Sequence, residues 1–214
     1  MVLTGILSMV LTRFVADSLY AGNTGAVLPS FWGGIMLAAG EPAYGIFLAC
    51  AGIPALYAVL CLILFGELVL VWTQMSYLTA VKDYQGIIKI FACSLVIGCI
   101  VGAGLIPGTR INVVTAMLAS VTTAYGVMAV LYYRLMTQYF SEGNISSMCF
   151  VSWVRKYPQL VVLGLFMSLG LFGHLVIMWS GQAGRRIQGL FYAAPVYDIP
   201  AIAAFLSILI TTIN

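Results

Sequence analysis

Charge is what this chain has least of. Of its 214 residues only 7% are charged, while 63% are hydrophobic. A soluble domain carries about 25% charged residues, so no water-facing surface could be covered from this composition. Histidine is almost missing too: His174 stands alone. With one imidazole, and with Cys50, Cys61, Cys93, Cys99 and Cys149 in no paired spacing, a zinc site has no ligand set. Four of these cysteines lie in apolar runs, where a thiol behaves as a small hydrophobe, and structural disulfides are not expected. No basic segment precedes the first apolar run, so no secretory signal peptide is read. Glycine-rich phosphate loops, His-Glu-x-x-His, Gly-x-Ser-x-Gly and paired-acid motifs are all absent. An enzyme is therefore not expected, and neither a metal nor a cofactor is called for. The net charge of +3 comes from scattered lysines and arginines in runs of no more than two, which excludes a nucleic-acid patch.

What the chain does have is membrane-length apolar sequence. Residues 53–81 hold one charge, Glu67, in 29 positions. Similar runs cover 90–107, 111–133 and 160–180. A bilayer core needs roughly 20 apolar residues per helix. In lipid every backbone polar group must be bonded internally, so these segments are expected to be helical. The expected fold is an all-α polytopic transmembrane bundle of five full spans and two partial ones. The first, partial, covers 1–12 with 13–20 as its continuation. The second covers 29–50, interrupted at Gly40-Glu41-Pro42. The third to sixth cover 53–81, 87–107, 111–138 and 158–180. The seventh, incomplete, covers 199–213. Both ends fall inside hydrophobic segments, so the sequence reads as a fragment of a longer protein or one with an internal start.

Turn chemistry marks the connections: Gly22, Asn23 and Gly25 in 20–28, Lys82-Asp83 before Gly86, and Pro107-Gly108. The longest polar linker is 139–157, with residues 145–155 readable as a short interfacial helix carrying Trp153 at headgroup level. Residues 181–197 form the last loop. The first, third and fifth loops hold Arg13, Lys82, Lys89, Arg134, Arg155 and Lys156. The second, fourth and sixth hold only Arg110, Arg185 and Arg186. The positive-inside bias places the odd loops in the cytoplasm. Gly98 and Gly102, spaced for close helix approach, are read as an internal packing face.

Polar groups within the spans are the candidate site residues, because they are costly in lipid unless they face a partner or a cavity. Glu67 lies mid-span, and Gln74, seven residues on, shares its helix face. Two readings stand for Glu67: a cavity-lining, protonatable group, or a neutral carboxyl bonded to a neighbouring helix. His174 reads as a packing residue or as part of a pathway. Arg134 follows Tyr132-Tyr133 and either snorkels to the interface or stands in a cavity wall beside sugar-binding aromatics. Arg13 and Asp17 are spaced to pair on one face.

Three stretches together resemble the Pel exopolysaccharide exporter family (PelG-type). They are Leu11-Thr12-Arg13-Phe14-Val15-Ala16-Asp17 with Leu28-Pro29-Ser30-Phe31-Trp32-Gly33, Tyr77-Leu78-Thr79-Ala80-Val81-Lys82-Asp83-Tyr84, and Pro195-Val196-Tyr197-Asp198-Ile199-Pro200. The resemblance covers nearly the whole chain and about half of a full-length member. It implies a place in the multidrug, oligosaccharidyl-lipid and polysaccharide exporter superfamily, with two lobes of helices. Residues 1–138 would be first-lobe helices, 139–157 the cytoplasmic linker, and 158–214 the start of the second lobe. It implies export of a polysaccharide across the bacterial inner membrane, beside a cytoplasmic glycosyltransferase and other membrane subunits. Glu67 and Asp198 would suit a cationic polymer, with Trp72, Tyr77, Tyr125 and Tyr132 as stacking faces. The alternatives are a flippase for lipid-linked oligosaccharide and a non-transporting scaffold subunit.

Overall fold

A computed structural model describes residues 2–38, 41–50, 52–108, 112–140, 143, 146–188 and 191–213. The helices are α1 (Val2–Tyr20), α2 (Val27–Ala38), α3 (Glu41–Cys50), α4 (Ala55–Val81), α5 (Tyr84–Gly108), α6 (Val113–Tyr139), α7 (Val151–Lys156), α8 (Pro158–Ser180) and α9 (Pro195–Ile213). A 3₁₀ turn, Thr24–Ala26, precedes α2. Two short strands, β1 (Arg185–Gln188) and β2 (Phe191–Ala193), pair antiparallel with an irregularity between Arg186 and Gln188. This hairpin corrects the reading of 181–197 as a plain loop. Strands of four and three residues are too short to show a period in sequence.

Local chemistry sets the ends. Pro54 flanks the start of α4, and Lys82 closes it in the left-handed conformation, φ 64°. Asp83 caps α5 by accepting the Gly86 amide at 2.9 Å. The Asn112 side chain accepts from Val114 at 3.2 Å to cap α6, and Pro158 opens α8 at a position that needs no amide. α1 runs unbroken through Arg13, which pairs with Asp17 at 3.1 Å, so the continuation over 13–20 holds.

Four helices, α4, α5, α6 and α8, are long and apolar enough to cross a membrane, and only 11–22% of each apolar window is buried within the protein. The rest is an outward apolar surface that water would not solvate, including Phe166 at 66% exposure and Ile177 at 70%. The expected second span is two helices rather than one. α2 and α3 run in succession antiparallel to α4: Phe31 meets Tyr77, Gly34 lies near Thr73, Tyr44 stacks on Phe65 at 4.6 Å, and Gly45 faces Leu62. α2 ends at Ala38 and α3 starts at Glu41, with Pro42 in its first turn, where a helix needs no amide.

Neighbouring helices follow the order α8, α1, α4, α6, α5. Gly98 and Gly102 of α5 press on Ser120 and Ala124 of α6, and Ser120 Oγ donates to Gly98 O at 2.6 Å. That spacing is an internal packing face. At the opposite flank, Gly5 of α1 meets Gly164 and Ser168 of α8. The largest buried cluster joins α1, α2, α4 and α6 with the 139–157 linker, through Leu11, Phe14, Phe31, Tyr77, Tyr132, Phe140 and Phe150. The linker folds back over this end. Tyr139 Oη donates to Asp83 at 2.8 Å, Gly143 packs on Gly25, and Trp153 Nε1 donates to Asp17 at 2.9 Å. The first, third and fifth connections therefore meet at one end of the bundle. The short helix expected over 145–155 is found as α7, at 151–156. Ile145, the first residue of that expectation, lies outside the described residues, as does Arg110.

Candidate transport cleft

α8 follows the linker, while α1 and α4 precede it. Where these three helices meet, a cleft of about 390 Å³ opens. Its polar lining is Thr4, Ser8 and Thr12 from α1, Ser76 and Thr79 from α4, and Ser168 from α8. Positions 4, 8 and 12 recur every four residues and so form one stripe on α1. Trp72, 46% exposed, and Phe172 supply aromatic faces, and Gly5 and Gly164 let the walls approach.

Four of these six hydroxyls commit their hydrogens to backbone carbonyls. Ser8 donates to Gly5 O at 2.9 Å, Thr12 to Ser76 O at 3.4 Å, Ser76 to Trp72 O at 3.3 Å, and Thr79 to Met75 O at 2.6 Å. Each oxygen keeps lone pairs for an incoming donor. The wall thus presents neutral acceptors beside aromatic and apolar surface. Such a lining can accept hydrogen bonds from hydroxyl or amino groups, and none of its side chains is titratable.

The residues singled out from sequence lie elsewhere, in three places. Glu67 and Gln74 do share a face of α4, and that face meets α6. A Cβ on Gly126 would come within 2.7 Å of Glu67 Oε1, while Glu67 Oε2 is enclosed with no hydrogen-bond partner. Gln74, 2% exposed, donates to Ala129 O at 3.0 Å, and its Oε1 also lacks a partner. Arg134 lines a separate groove between α2, α4 and α6, with Trp32, Tyr133 and the edge of Gln74. His174 contacts Gly170 O at 3.3 Å and stands edge-on to Tyr197 at 5.8 Å. Asp198 accepts from Trp179 Nε1 at 3.0 Å and from the Ala194 amide at 2.9 Å, tying the end of α8 to the start of α9.

Two of the expected stacking faces are corrected. Tyr77 and Tyr132 are 0% and 1% exposed, and their hydroxyls bond Ser30 and Ile87 O. A ring sealed on all sides offers no face to a sugar. Trp72 does line the cleft, and Tyr125 is half-buried. What sequence reading passed over is the hydroxyl stripe of Thr4, Ser8 and Thr12. Its four-residue repeat was visible, but hydroxyls are cheap enough in a helix to pass as packing.

A bundle with four helices long and apolar enough to cross a bilayer defines a multi-pass membrane protein. The sequence model of the PelG family, described as "Putative exopolysaccharide Exporter (EPS-E)", matches residues 1–214. The chain belongs to this family of exopolysaccharide exporters. No curated protein and no solved structure matches it.

Proposed function

We propose that this chain carries a Pel-type exopolysaccharide across the bacterial inner membrane through the cleft between α1, α4 and α8. The observation that supports this most is the cleft's lining: acceptor oxygens in a helical stripe opposite Trp72, at the seam where helices before and after the linker meet. Sugar hydroxyls, or the ammonium groups of a cationic polymer, find acceptors there without a fixed charge to trap them. The protein moves polymer without covalent chemistry, by alternating access or as a gated conduit. The end bearing Arg13, Lys82, Arg155 and Lys156 faces the cytoplasm by the positive-inside bias. The polymer enters there from a glycosyltransferase, alongside other membrane subunits of the export system.

The test is Ser8→Trp in a cell that secretes the polymer. Overpacking of about 1–3 kcal/mol against a cargo-filled cleft corresponds to a loss of secretion of roughly five- to 150-fold, at unchanged membrane abundance. Val96→Trp, on the outward face of α5, leaves secretion intact. Normal secretion by Ser8→Trp would remove the cleft from the route.

A further inference from the structure

The groove around Arg134 is independent of the cleft and has a different chemistry. It holds about 430 Å³ and opens sideways between α2, α4 and α6. Its walls are Leu70 and Val130, the latter 56% exposed, with Trp32, 46% exposed, and Tyr133 near one another at 5.8 Å between ring centroids. Arg134 and Thr137 stand at its polar end. Among the described residues the only ion pair is Arg13–Asp17, and none involves Arg134.

Depth matters here. α6 has 27 residues, which at 1.5 Å per residue is about 40 Å. Centred on a hydrocarbon core of about 30 Å, it overhangs by about 5 Å at each end. Arg134 lies five residues before Tyr139, or about 7.5 Å from that end. Trp32 lies five residues after the start of α2, at the same end of the bundle. The guanidinium is thus held at the edge of the hydrocarbon, where an uncompensated cation is unfavourable. A guanidinium meets phosphate in a two-pronged, charge-assisted pair that relieves this. Trp and Tyr are the residues that sit at headgroup level, and Leu70 and Val130 give an acyl chain a surface deeper in.

The geometry points to a binding site for an anionic phospholipid of the inner leaflet, its phosphate on Arg134 and one acyl chain along Leu70 and Val130. The occupant is a lipid rather than cargo, because the groove is apolar and open to the bilayer.

Native mass spectrometry tests this on the protein extracted from membranes and exchanged with phosphatidylglycerol or phosphatidylcholine. The native protein should retain phosphatidylglycerol over phosphatidylcholine. Arg134→Gln should lower the retained fraction by about tenfold, the factor equivalent to 1.4 kcal/mol. Arg134→Lys, which keeps the charge and serves if the Gln variant is unstable, should fall between the two. Arg155→Gln, a basic residue at the same end but outside the groove, should behave as native. Equal retention by Arg134→Gln, loss by Arg155→Gln of the same size, or equal binding of the zwitterionic lipid would overturn the assignment. So would a soluble polymer fragment that displaces the lipid only when Arg134 is present, since the groove would then belong to cargo.

Discussion

Single side chains at the connections settle more of this structure than the ionisable groups inside the spans. Asp83 shows how. One oxygen accepts the Gly86 amide and the other the Tyr139 hydroxyl, so one carboxylate both caps α5 and ties it to the end of α6. These bonds, the Gly86 amide foremost, hold the Asp83 carboxyl below its ordinary value. A carboxyl depressed in the folded state adds stability above its unfolded pKa and loses it as pH falls through the folded value. Asp83→Ala should lower the thermal midpoint in detergent by about 2–4 °C at neutral pH. The gap to the native protein should shrink as the buffer is taken below the ordinary carboxylate range. A pH-independent gap would show that the ionised form is not what matters. Glu67 is the contrasting case. Its Oε2 has no partner, and its mid-span position, conspicuous in sequence, puts it against Gly126 of α6 and not in the cleft.

Among the helices, contact is set by where side chains are missing. α1 and α8 cross at Gly5, Gly164 and Ser168. A Cβ on Gly164 would come within 2.7 Å of Gly5 O and 2.9 Å of Ile6 O. Both are backbone atoms, which give way poorly. Gly164→Val should therefore destabilise the protein by about 1–3 kcal/mol through overpacking, seen as a lower thermal midpoint in detergent. Gly170→Val, on the same helix with nothing within 4 Å of its Cβ, should be close to neutral. Equal loss from both would mean that valine itself, not the crossing, is at fault. The division between α2 and α3 is also an element-scale feature. The interruption at Gly40-Glu41-Pro42 was plain in sequence. That both halves still lie in register along α4 was not, because register depends on which neighbour the apolar face meets.

For the whole molecule, the odd-numbered connections converge. The Asp83–Tyr139 bond, the Gly25–Gly143 contact and the Asp17–Trp153 bond bring three loops to one end. Counting lysines and arginines assigned the same three loops to a common side, by an unrelated principle. In a cysteine-free background, Ser146→Cys should react with an impermeant maleimide only from the cytoplasmic side, and Ala183→Cys only from the opposite side. Labelling of position 146 in intact spheroplasts would reverse the orientation.

Apolar length, scarce charge, and turn residues such as Gly22 and Asp83 were enough by themselves to establish a helical membrane protein and most of its boundaries. Those properties act through lipid solvation and local backbone bonding, which need no knowledge of distant chain. Spacing also revealed that Glu67 and Gln74 share a face, whereas the four-residue repeat of Thr4, Ser8 and Thr12 was passed over. Only the tertiary structure decided that the first pair is spent against α6 while the hydroxyl stripe opens onto the cleft. A helix face acquires its role from the helix packed against it, and that partner lies dozens of residues away in the chain.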